Sequence, residues 1–438
     1  MKINAILSFL VLSLSLLFSF SSCKKDETTS NPTTSNSPNI LFIIADDMGK
    51  DATNGFSEGS IKPTTPTIDN IKNTGLSFTN FWVAPTCSPT RAATITGKYG
   101  YRTDVKWASD VLSNSETVLQ KYINQQTNNK YATAVIGKWH LAGANNSFNP
   151  ENFGIDYYAG MIRGTAESYY NWNLTTDGTS TTETQYITEK FTDLAIDWVN
   201  EQDKPWFLWL AYTAPHTPFH APPTEMHSQG ALPTYTEGLD AIPYYMAAIE
   251  AMDFQIARLL NGLSAEERAN TIIIFIGDNG TPSDVAQAPY TSRTVKGTLY
   301  EGGINCPLFV SGNGVSRTGT DTNLINITDL FATIAQIAGS SASEINDSKS
   351  FKSLLTSSTS STNREYMYSE MKSDRLDIWT IRNQKYKIIA NSSGSTEMYN
   401  LETDPYENTN LLSSSLSDFT ETVRIKTPLL IYAGEGKH

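Results

Sequence analysis

Short apolar segments recur along this chain and alternate with segments that have a helical period. In the apolar segments nearly every residue is hydrophobic, which is typical of strands buried on both faces of a parallel sheet. They span residues 39–45, 131–136, 206–212, 271–276 and 306–311. The segments of helical period span residues 66–75, 117–126, 186–201, 244–263 and 329–339. This alternation predicts an α/β fold, in which a large mixed, mostly parallel sheet is sandwiched by helices.

The pattern changes after a stretch rich in Ser and Thr at residues 340–363. Four short apolar and aromatic segments follow, separated by turn residues, and they span residues 366–370, 378–382, 386–390 and 397–400. Such spacing is typical of a small antiparallel sheet. We therefore expect a large domain over residues 39–340 and a small subdomain over residues 341–438, built from an antiparallel sheet plus a helix.

The first 23 residues have the pattern of a signal peptide. Lys2 precedes an apolar run from Ile6 to Phe20, which is too short to cross a membrane comfortably. Ser21 and Ser22 before Cys23 resemble a bacterial lipoprotein cleavage site, although Phe20 departs from the usual leucine. The polar residues of segment 24–38 predict a flexible tether. We expect export to the periplasm or cell surface, with membrane contact only through a lipid on Cys23; simple secretion is the alternative.

Composition and charge narrow the classes of function. The chain has 438 residues, of which 39% are hydrophobic and 18% charged, so it is long enough to bury a large core. The net charge is −13 and no basic stripe is present, which excludes nucleic acid as a partner. Cys23, Cys87 and Cys306 are the three cysteines, too few for a disulfide framework. We expect Cys306 to lie in the core.

Four of the apolar segments are followed by polar side chains that could act in catalysis or bind a metal. In parallel sheets, ligands bind beyond such strand ends. These side chains are Asp46, Asp47, Lys138, His140, His216, Asp278 and Asn279. Adjacent carboxylates are costly without a counter-ion, and a hard divalent metal accepts carboxylate and amide oxygens. Taken one at a time, these groups also fit solvated turns, a surface lysine and structural histidines. The aromatic segment 169–172 fits either sugar contacts or core packing.

Cys87 stands at the start of a short predicted helix. Pro89 suits an early helical position and Gly97 suits the helix end, so Cys87 would lie at or just before the N-terminus, where anions are bound readily. Arg91 would lie one turn further on the same face. The alternative is that Cys87 is an unreactive buried cysteine.

Several motifs together resemble those of the formylglycine-dependent sulfatases of the alkaline phosphatase superfamily. Cys-x-Pro-Thr-Arg occupies residues 87–91, where the family oxidises the cysteine. Five further motifs occur in the order and spacing of the family. They are Gly-Lys-Trp-His at 137–140, Ala-Pro-His at 214–216, Gly-Asp-Asn-Gly at 277–280, Lys-Gly at 296–297 and Glu-Gly-Gly at 301–303. Short motifs at 381–382, 386–387 and 398–405 resemble the small terminal subdomain of that family. Residues 39–340 would then be the catalytic domain.

The resemblance implies a formylglycine made from Cys87 by a maturation enzyme, and one bound Ca²⁺ per chain. The metal ligands that it implies are Asp46, Asp47, Cys87, Asp278 and Asn279. The catalytic residues that it implies are Cys87, Arg91, Lys138, His140, His216 and Lys296. Arg91 would orient the nucleophile, and the two lysines would neutralise sulfate oxygens. His216 would protonate the leaving oxygen and His140 would accept a proton, a division of roles that spacing alone does not make.

The expected function is therefore hydrolysis of sulfate monoesters, on sulfated carbohydrates such as oligosaccharides derived from polysaccharides. A phosphonate or phosphodiester hydrolase of the same superfamily is the nearest alternative, since it would share the fold and the nucleophile. A sugar-binding surface protein on an inactive sulfatase scaffold is an alternative of a different class. That alternative predicts the loss of site residues, yet each residue of the motifs is present.

Overall fold

The computed structural model describes residues 37–143, 150–373 and 376–413. The predicted signal peptide, the lipid site at Cys23, nearly all of the tether and residues 414–438 lie outside the described residues. Between Ser37 and Ser413, no described helix has both the length and the apolar character needed to cross a lipid bilayer. The described part of the chain forms one compact unit, and the predicted boundary at residue 340 stays a prediction.

The strands are numbered here in chain order. They are β1 (Asn39–Ala45), β2 (Leu76–Phe78), β3 (Phe81–Trp82), β4 (Ala132–Lys138), β5 (Tyr157–Met161), β6 (Trp172–Thr176), β7 (Thr179–Glu183), β8 (Trp206–Ala211), β9 (Thr271–Gly277), β10 (Leu308–Gly312), β11 (Gly319–Asp321), β12 (Ile325–Asn326), β13 (Glu344–Ile345), β14 (Ser348–Lys349), β15 (Met367–Lys372), β16 (Asp377–Arg382), β17 (Tyr386–Asn391) and β18 (Thr396–Asn400). The α-helices are α1 (Pro66–Thr74), α2 (Cys87–Thr96), α3 (Gly100–Thr103), α4 (Leu119–Thr127), α5 (Pro150–Phe153), α6 (Ile187–Asn200), α7 (Ile242–Gly262), α8 (Ala265–Ala269), α9 (Glu301–Ile304) and α10 (Asp329–Ala338).

Ten of these strands form the main sheet, in the order β11-β2-β10-β9-β1-β8-β4-β5-β6-β7. The five central strands, from β9 to β5, run parallel to one another. Antiparallel pairs extend the sheet on both sides: β10 pairs with β9 and β2, and β5 continues into β6 and β7. The prediction of a large mixed, mostly parallel sheet is confirmed, and each strand predicted from an apolar segment is present within two residues of its expected bounds.

Helices cover both faces of the main sheet, as the predicted sandwich requires. The alternating side chains of β1 show this division: Ile40 and Phe42 pack in a core with α2, α4 and α10, whereas Leu41 and Ile43 pack in a second core with α1, α6 and α7. Because both faces of β1 are buried, every residue of the strand after Asn39 is apolar. In the central strands the charged side chains accordingly lie only at or beyond the strand ends.

The C-terminal region contains the predicted antiparallel sheet, in the order β15-β16-β17-β18. Its four strands match the four predicted segments closely. The described part of residues 341–413 contains no α-helix, only short 3-10 turns, and the helix expected for this subdomain would have to lie outside the described residues.

The sequence pattern did not predict the β6–β7 hairpin. Residues 172–183 are rich in Thr, and only one of the two faces of β6 carries apolar side chains, Trp172 and Leu174. Strand β7 is exposed along most of its length. An edge hairpin of this kind depends on pairing with β5, so its own residues carry little periodic signal.

Candidate active site

The carboxyl ends of four parallel strands meet at one edge of the main sheet, and each carries polar side chains. Asp46 and Asp47 follow β1, His140 follows Lys138 at the end of β4, His216 follows β8, and Asp278 with Asn279 follows β9. These strands are neighbours in the order β9-β1-β8-β4. The predicted convergence of distant segments on one edge is therefore present.

Cys87 is the first residue of α2 and is directed at this edge. Thr86 before it has an extended backbone, and Gly97 closes the helix in the left-handed conformation with φ of 66°. The Cys87 thiol donates a hydrogen bond to Asp46 Oδ1 at 3.2 Å and lies 3.9 Å from Asp47 Oδ1. Lys138 Nζ lies 3.5 Å from the sulfur. Burial, and next the Asp46 carboxylate, raises the pKa of the thiol far above its usual value, so the unmodified cysteine stays protonated and is a weak nucleophile.

Arg91 ties two strand ends together beneath Cys87. Its Nη2 forms an ion pair with Asp278 Oδ2 at 2.8 Å, and its Nη1 donates to the backbone carbonyl of Lys138 at 2.7 Å. The guanidinium is completely buried. A planar, forked donor suits this double role, because one group must reach β9 and β4 at once.

Asp47 is the most heavily contacted carboxylate of the site. Lys296 Nζ lies 2.5 Å and His216 Nε2 3.7 Å from Asp47 Oδ2, while Asn279 Nδ2 donates to Oδ1 at 2.7 Å. Burial raises the pKa of Asp47, but nearby positive charge, chiefly that of Lys296, outweighs the effect of burial and holds that pKa well below its usual range. The residue has φ of 72°, a left-handed backbone that is uncommon outside glycine. This conformation ends β1 abruptly and turns consecutive carboxylates into one space.

Several atoms that can bind a metal gather around the same point. One ligand-capable atom each from Asp46, Asp47, Cys87 and His216 lies within 4.8 Å of the others. Asp278 Oδ1 accepts a hydrogen bond from the Asp47 amide at 3.0 Å, which brings the third carboxylate against this group. Burial, and next the Asp46 charge, raises the pKa of Asp278 to about 6. Three buried carboxylates this close favour a bound cation.

The amide of Asn279 provides an independent test of that donor set. Its Nδ2 group is engaged by Asp47 and by the Gly280 carbonyl, yet among the described residues its Oδ1 atom has no hydrogen-bond partner, although it is buried. A buried, unsatisfied carbonyl oxygen is costly unless something positive faces it. The predicted set of Asp46, Asp47, Asp278 and Asn279 therefore fits a hard cation.

Both predicted histidines lie beside the site and both are held in the neutral form. Burial lowers the pKa of His140 far below its usual value, and the positive charges of Lys138 and Arg91 lower it further. Burial also lowers the pKa of His216 to about 4, against the opposing effect of Asp47. His216 Nδ1 donates to the Thr217 carbonyl at 2.6 Å, which directs Nε2 towards Asp47. Lys138 in turn forms a short ion pair with Asp46.

Two tyrosines that support the site had no sequence signal for this role. Tyr245 on α7 donates its hydroxyl to the Asp47 carbonyl at 2.6 Å. Tyr169 donates to the carbonyls of Thr213 and His216 at 2.8 and 2.7 Å, so it holds the segment that carries His216. Their partners are tens to hundreds of positions away in the chain, and no local pattern encodes such contacts.

The aromatic segment at 169–172 divides between the two predicted roles. Tyr169 and Trp172 are buried, which confirms the core interpretation for these two. Tyr170 is 40% exposed, and its hydroxyl donates to the Ala221 carbonyl. Cys306 is fully buried in the core, as predicted. Burial is the main cause that raises the pKa of the Cys306 thiol well above its usual value.

Two family models match the chain. The model described as Sulfatase matches residues 38–340, a range that includes every residue of this site. The model described as N-sulphoglucosamine sulphohydrolase, C-terminal matches residues 294–427, a range that includes the C-terminal sheet.

Individual proteins are similar over much of the chain. Uncharacterized sulfatase YdeN of Escherichia coli (strain K12) is 29% identical over 376 residues, covering 72% of this chain and 64% of that protein. Arylsulfatase J of Mus musculus is 27% identical over 324 residues, covering 69% of this chain and 52% of that protein. The chain thus spans less than two thirds of the length of these relatives. The crystal structure of Ps i-CgsB in complex with k-i-k-neocarrahexaose is 25% identical, with coverage of 90% and 92% and a TM-score of 0.75.

Proposed function

This chain belongs to the sulfatase family, and we propose that it hydrolyses sulfate monoesters of carbohydrates. In this proposal the nucleophile is a formylglycine that a maturation enzyme forms from Cys87. Sulfated oligosaccharides derived from polysaccharides are the proposed substrates. The carbohydrate bound by the similar protein Ps i-CgsB supports this class of substrate.

The observation that carries the proposal is the surroundings of Cys87. The side chain lies at the start of α2, 3.2 Å from Asp46 and 3.5 Å from Lys138, with Arg91 one turn further on. A helix N-terminus and two cations suit an anion bound there. The raised pKa of the thiol argues against a thiolate nucleophile at this position, whereas an aldehyde hydrate needs no thiolate.

The hydrate of formylglycine supplies two hydroxyl groups on one carbon, so that one can attack sulfur and the other can expel sulfate as the aldehyde re-forms. Around it, Lys138 and Lys296 neutralise the sulfate oxygens. A sulfate ester beside His216 brings negative charge, which raises the pKa of the ring and favours the protonated form that can give a proton to the leaving oxygen. His140, neutral in this surrounding, accepts the proton of the second hydroxyl.

Ca²⁺ is the proposed metal, held by Asp46, Asp47, Asp278 and Asn279 together with the modified side chain of residue 87. Carboxylate and amide oxygens are the ligands that this cation prefers. When bound, it would polarise the sulfate group and lower the pKa of the nucleophile. Arg91 holds Asp278 and the end of β4 in place through its ion pair and its hydrogen bond to the Lys138 carbonyl.

The test of the nucleophile uses protein produced together with a maturation enzyme. The mass of the peptide containing residue 87 should show loss of sulfur and gain of an aldehyde, and the activity on an aryl sulfate should rise with the converted fraction. Cys87→Ala should lose the activity, whereas Cys306→Ala, a matched change of a buried cysteine outside the site, should keep it. Full activity with only the unmodified thiol at residue 87 would overturn the proposal.

The test of the metal uses chelation of the converted enzyme. We expect chelation to abolish activity and Ca²⁺ to restore it. Asn279→Ala should raise the Ca²⁺ concentration needed for half-maximal activity by about tenfold or more, because one ligand is removed.

Rates on an aryl sulfate and an aryl phosphonate, measured side by side, distinguish a sulfatase from a phosphonate hydrolase.

A further inference from the structure

A cavity of about 410 Å³ includes Met161 at the end of β5, opposite Lys138 at the end of β4. The end of β5, the segment 162–167 and the β6–β7 hairpin form its walls. Its volume is within the range of about 300–1,000 Å³ that is usual for small-molecule sites. We call it the hairpin cavity. None of the residues assigned above to the metal or to catalysis lines it.

The hairpin cavity is connected to the active site through His140. Strands β4 and β5 are parallel, with Lys138 opposite Met161, so both strands end at the same edge of the sheet. The His140 amide donates to the Ile162 carbonyl at 3.0 Å. The backbone at Gly164 packs so closely on the His140 ring that a Cβ atom there would lie 2.1 Å from Nε2. The segment that forms one wall of the cavity therefore also contacts the predicted proton acceptor.

The lining of the hairpin cavity has the chemistry of a sugar site. On the hairpin, Asn173 lies opposite Thr182 and Thr175 lies opposite Ser180, so one face presents a cross-strand patch of amide and hydroxyl groups. Such groups can donate and accept hydrogen bonds, as the hydroxyls of a sugar require. Trp172 also contributes to the lining, but its indole is buried in the core on the opposite face of β6, so the polar groups of Asn173, Thr175, Ser180 and Thr182 determine the chemistry of this wall.

The charge of the lining sets a further limit on the ligand. Arg163 is basic and Glu167 is acidic, whereas the other residues of the lining are uncharged. The charges of the lining therefore cancel, in contrast to the cationic groups around Cys87. A site without excess positive charge gives no net attraction to a second sulfate group.

From these observations, and resting on the proposed function, we propose that the hairpin cavity is a subsite for an uncharged sugar residue linked to the sulfated one. The sulfated sugar places its ester at Cys87, and the neighbouring residue of the same oligosaccharide enters the cavity past His140. The subsite supplies binding energy and orients the ester, but it takes no part in the chemical step. The substrate is then an oligosaccharide whose sulfated residue has an unsulfated neighbour.

Two adjacent threonines of β7 provide a matched test. Thr182 lines the cavity, whereas Thr181 faces the other side of the strand; both are exposed. Tryptophan is tolerated well in strands, so Thr182→Trp would fill the cavity and Thr181→Trp would not. The measurement is kcat/KM of each converted enzyme on an aryl sulfate, which needs no subsite, and on a sulfated disaccharide with an unsulfated neighbouring residue.

We expect Thr182→Trp to lower the ratio of disaccharide to aryl sulfate kcat/KM by about tenfold or more, mainly through a higher KM, as the loss of a few hydrogen bonds predicts. Thr181→Trp should keep the wild-type ratio. Equal ratios in both variants would overturn the subsite while leaving sulfatase activity intact. A wild-type enzyme that hydrolyses neither sulfate ester would instead overturn the proposed function.

A second comparison tests the charge of the ligand. Two disaccharides are used that share the sulfated residue and differ only in whether its neighbour also carries sulfate. The wild type should prefer the unsulfated neighbour, and Thr182→Trp should abolish that preference. A wild-type preference for the sulfated neighbour that the variant loses would overturn the assignment of an uncharged sugar.

Discussion

At the scale of single residues, Arg91 shows how one buried side chain can organise a site. Its two contacts, to Asp278 and to the Lys138 carbonyl, need two donors in one plane. Arg91→Lys keeps the charge but cannot make both contacts. We expect kcat on an aryl sulfate to fall by about 100-fold, since a small displacement of catalytic groups has effects of this size.

Arg102→Lys on α3 is the control for that substitution, because Arg102 forms a partly exposed ion pair with Asp347. It should retain activity within about twofold, as surface ion pairs contribute little. The fraction of formylglycine in each variant is measured by mass, which separates poor maturation from poor catalysis. Wild-type activity in fully matured Arg91→Lys would contradict the role given to the guanidinium.

His220 lies in a buried aromatic cluster, where its protonation should affect the stability of the fold. Its Nδ1 donates to the Pro218 carbonyl at 3.0 Å, so its Nε2 accepts from the Tyr186 hydroxyl at 3.1 Å. The ring stacks on Tyr169 with centroids 3.6 Å apart. Burial lowers the pKa of His220 from 6.5 to about 4, and the neighbouring tyrosine hydroxyls stay protonated over this range because burial raises the pKa of each.

Below pH 6.5 the unfolded chain binds a proton at this histidine before the folded chain does. The free energy of unfolding should therefore fall by about 1–3 kcal/mol between pH 6.5 and about 4, with no further contribution from His220 below that. Denaturant unfolding across this range should show a smaller fall in His220→Gln than in the wild type. His227→Gln, which changes a histidine outside this aromatic cluster, should show the same fall as the wild type. A fall in His220→Gln equal to that of the wild type would contradict the role given to His220.

At the scale of elements, the contact of β4 with β5 depends on two glycines that face each other. Gly137 lies opposite Gly160, and a Cβ atom at Gly160 would lie 1.9 Å from the Gly137 carbonyl oxygen. Gly160→Ala would force these backbones apart one residue before Lys138. We expect a loss of about 1–3 kcal/mol in the free energy of unfolding, and a lower kcat because Lys138 and His140 move.

Gly262→Ala on α7 is the matched control for this change. A Cβ atom there has 3.6 Å to its nearest neighbour, Ile196. Alanine favours helix over glycine, so this variant should be unchanged or more stable by up to about 1 kcal/mol. Denaturant unfolding gives both values. Equal stability of the two variants would show that the strands can separate without cost.

At the scale of the whole molecule, buried charges join the C-terminal sheet to the main domain. Lys387 on β17 is fully buried and lies 3.1 Å from Glu301 and 2.7 Å from Glu407. Glu301 also accepts from Trp82 Nε1 at 3.1 Å, on the strand that leads to Cys87. Arg382 also lies 3.5 Å from Glu301, so removal of Lys387 chiefly leaves the buried Glu407 carboxylate without its nearest cation.

Lys387→Ala should therefore lower the free energy of unfolding by about 3–5 kcal/mol. The control is Lys385→Ala, two residues earlier, where an exposed lysine lies 3.8 Å from Glu402 and the change should stay within about 0.5 kcal/mol. Denaturant unfolding gives both values. A cost of Lys387→Ala no greater than that of Lys385→Ala would contradict a connecting role for this network.

The elements whose residues are buried on both faces could be predicted from the sequence. The runs at β1, β4, β8 and β9 are apolar because both sides of these strands are covered, and burial of this kind is visible in any single sequence. The hairpin β6–β7 could not, since it is an edge element that is stabilised by its partner β5 and exposes polar residues on one face.

The site was partly predictable for a related reason. Parallel strands bring their carboxyl ends to one edge, so the positions of Asp46, Lys138, His216 and Asp278 in the chain imply their meeting. Only the tertiary structure decided which atoms touch: Arg91 bridging Asp278 and the end of β4, Tyr169 holding the His216 segment, and Lys387 supporting Glu301. Such contacts join residues far apart in the chain, and their geometry is set by the packing of whole elements. The local order of residues determines where strands end, but packing determines what each side chain meets there.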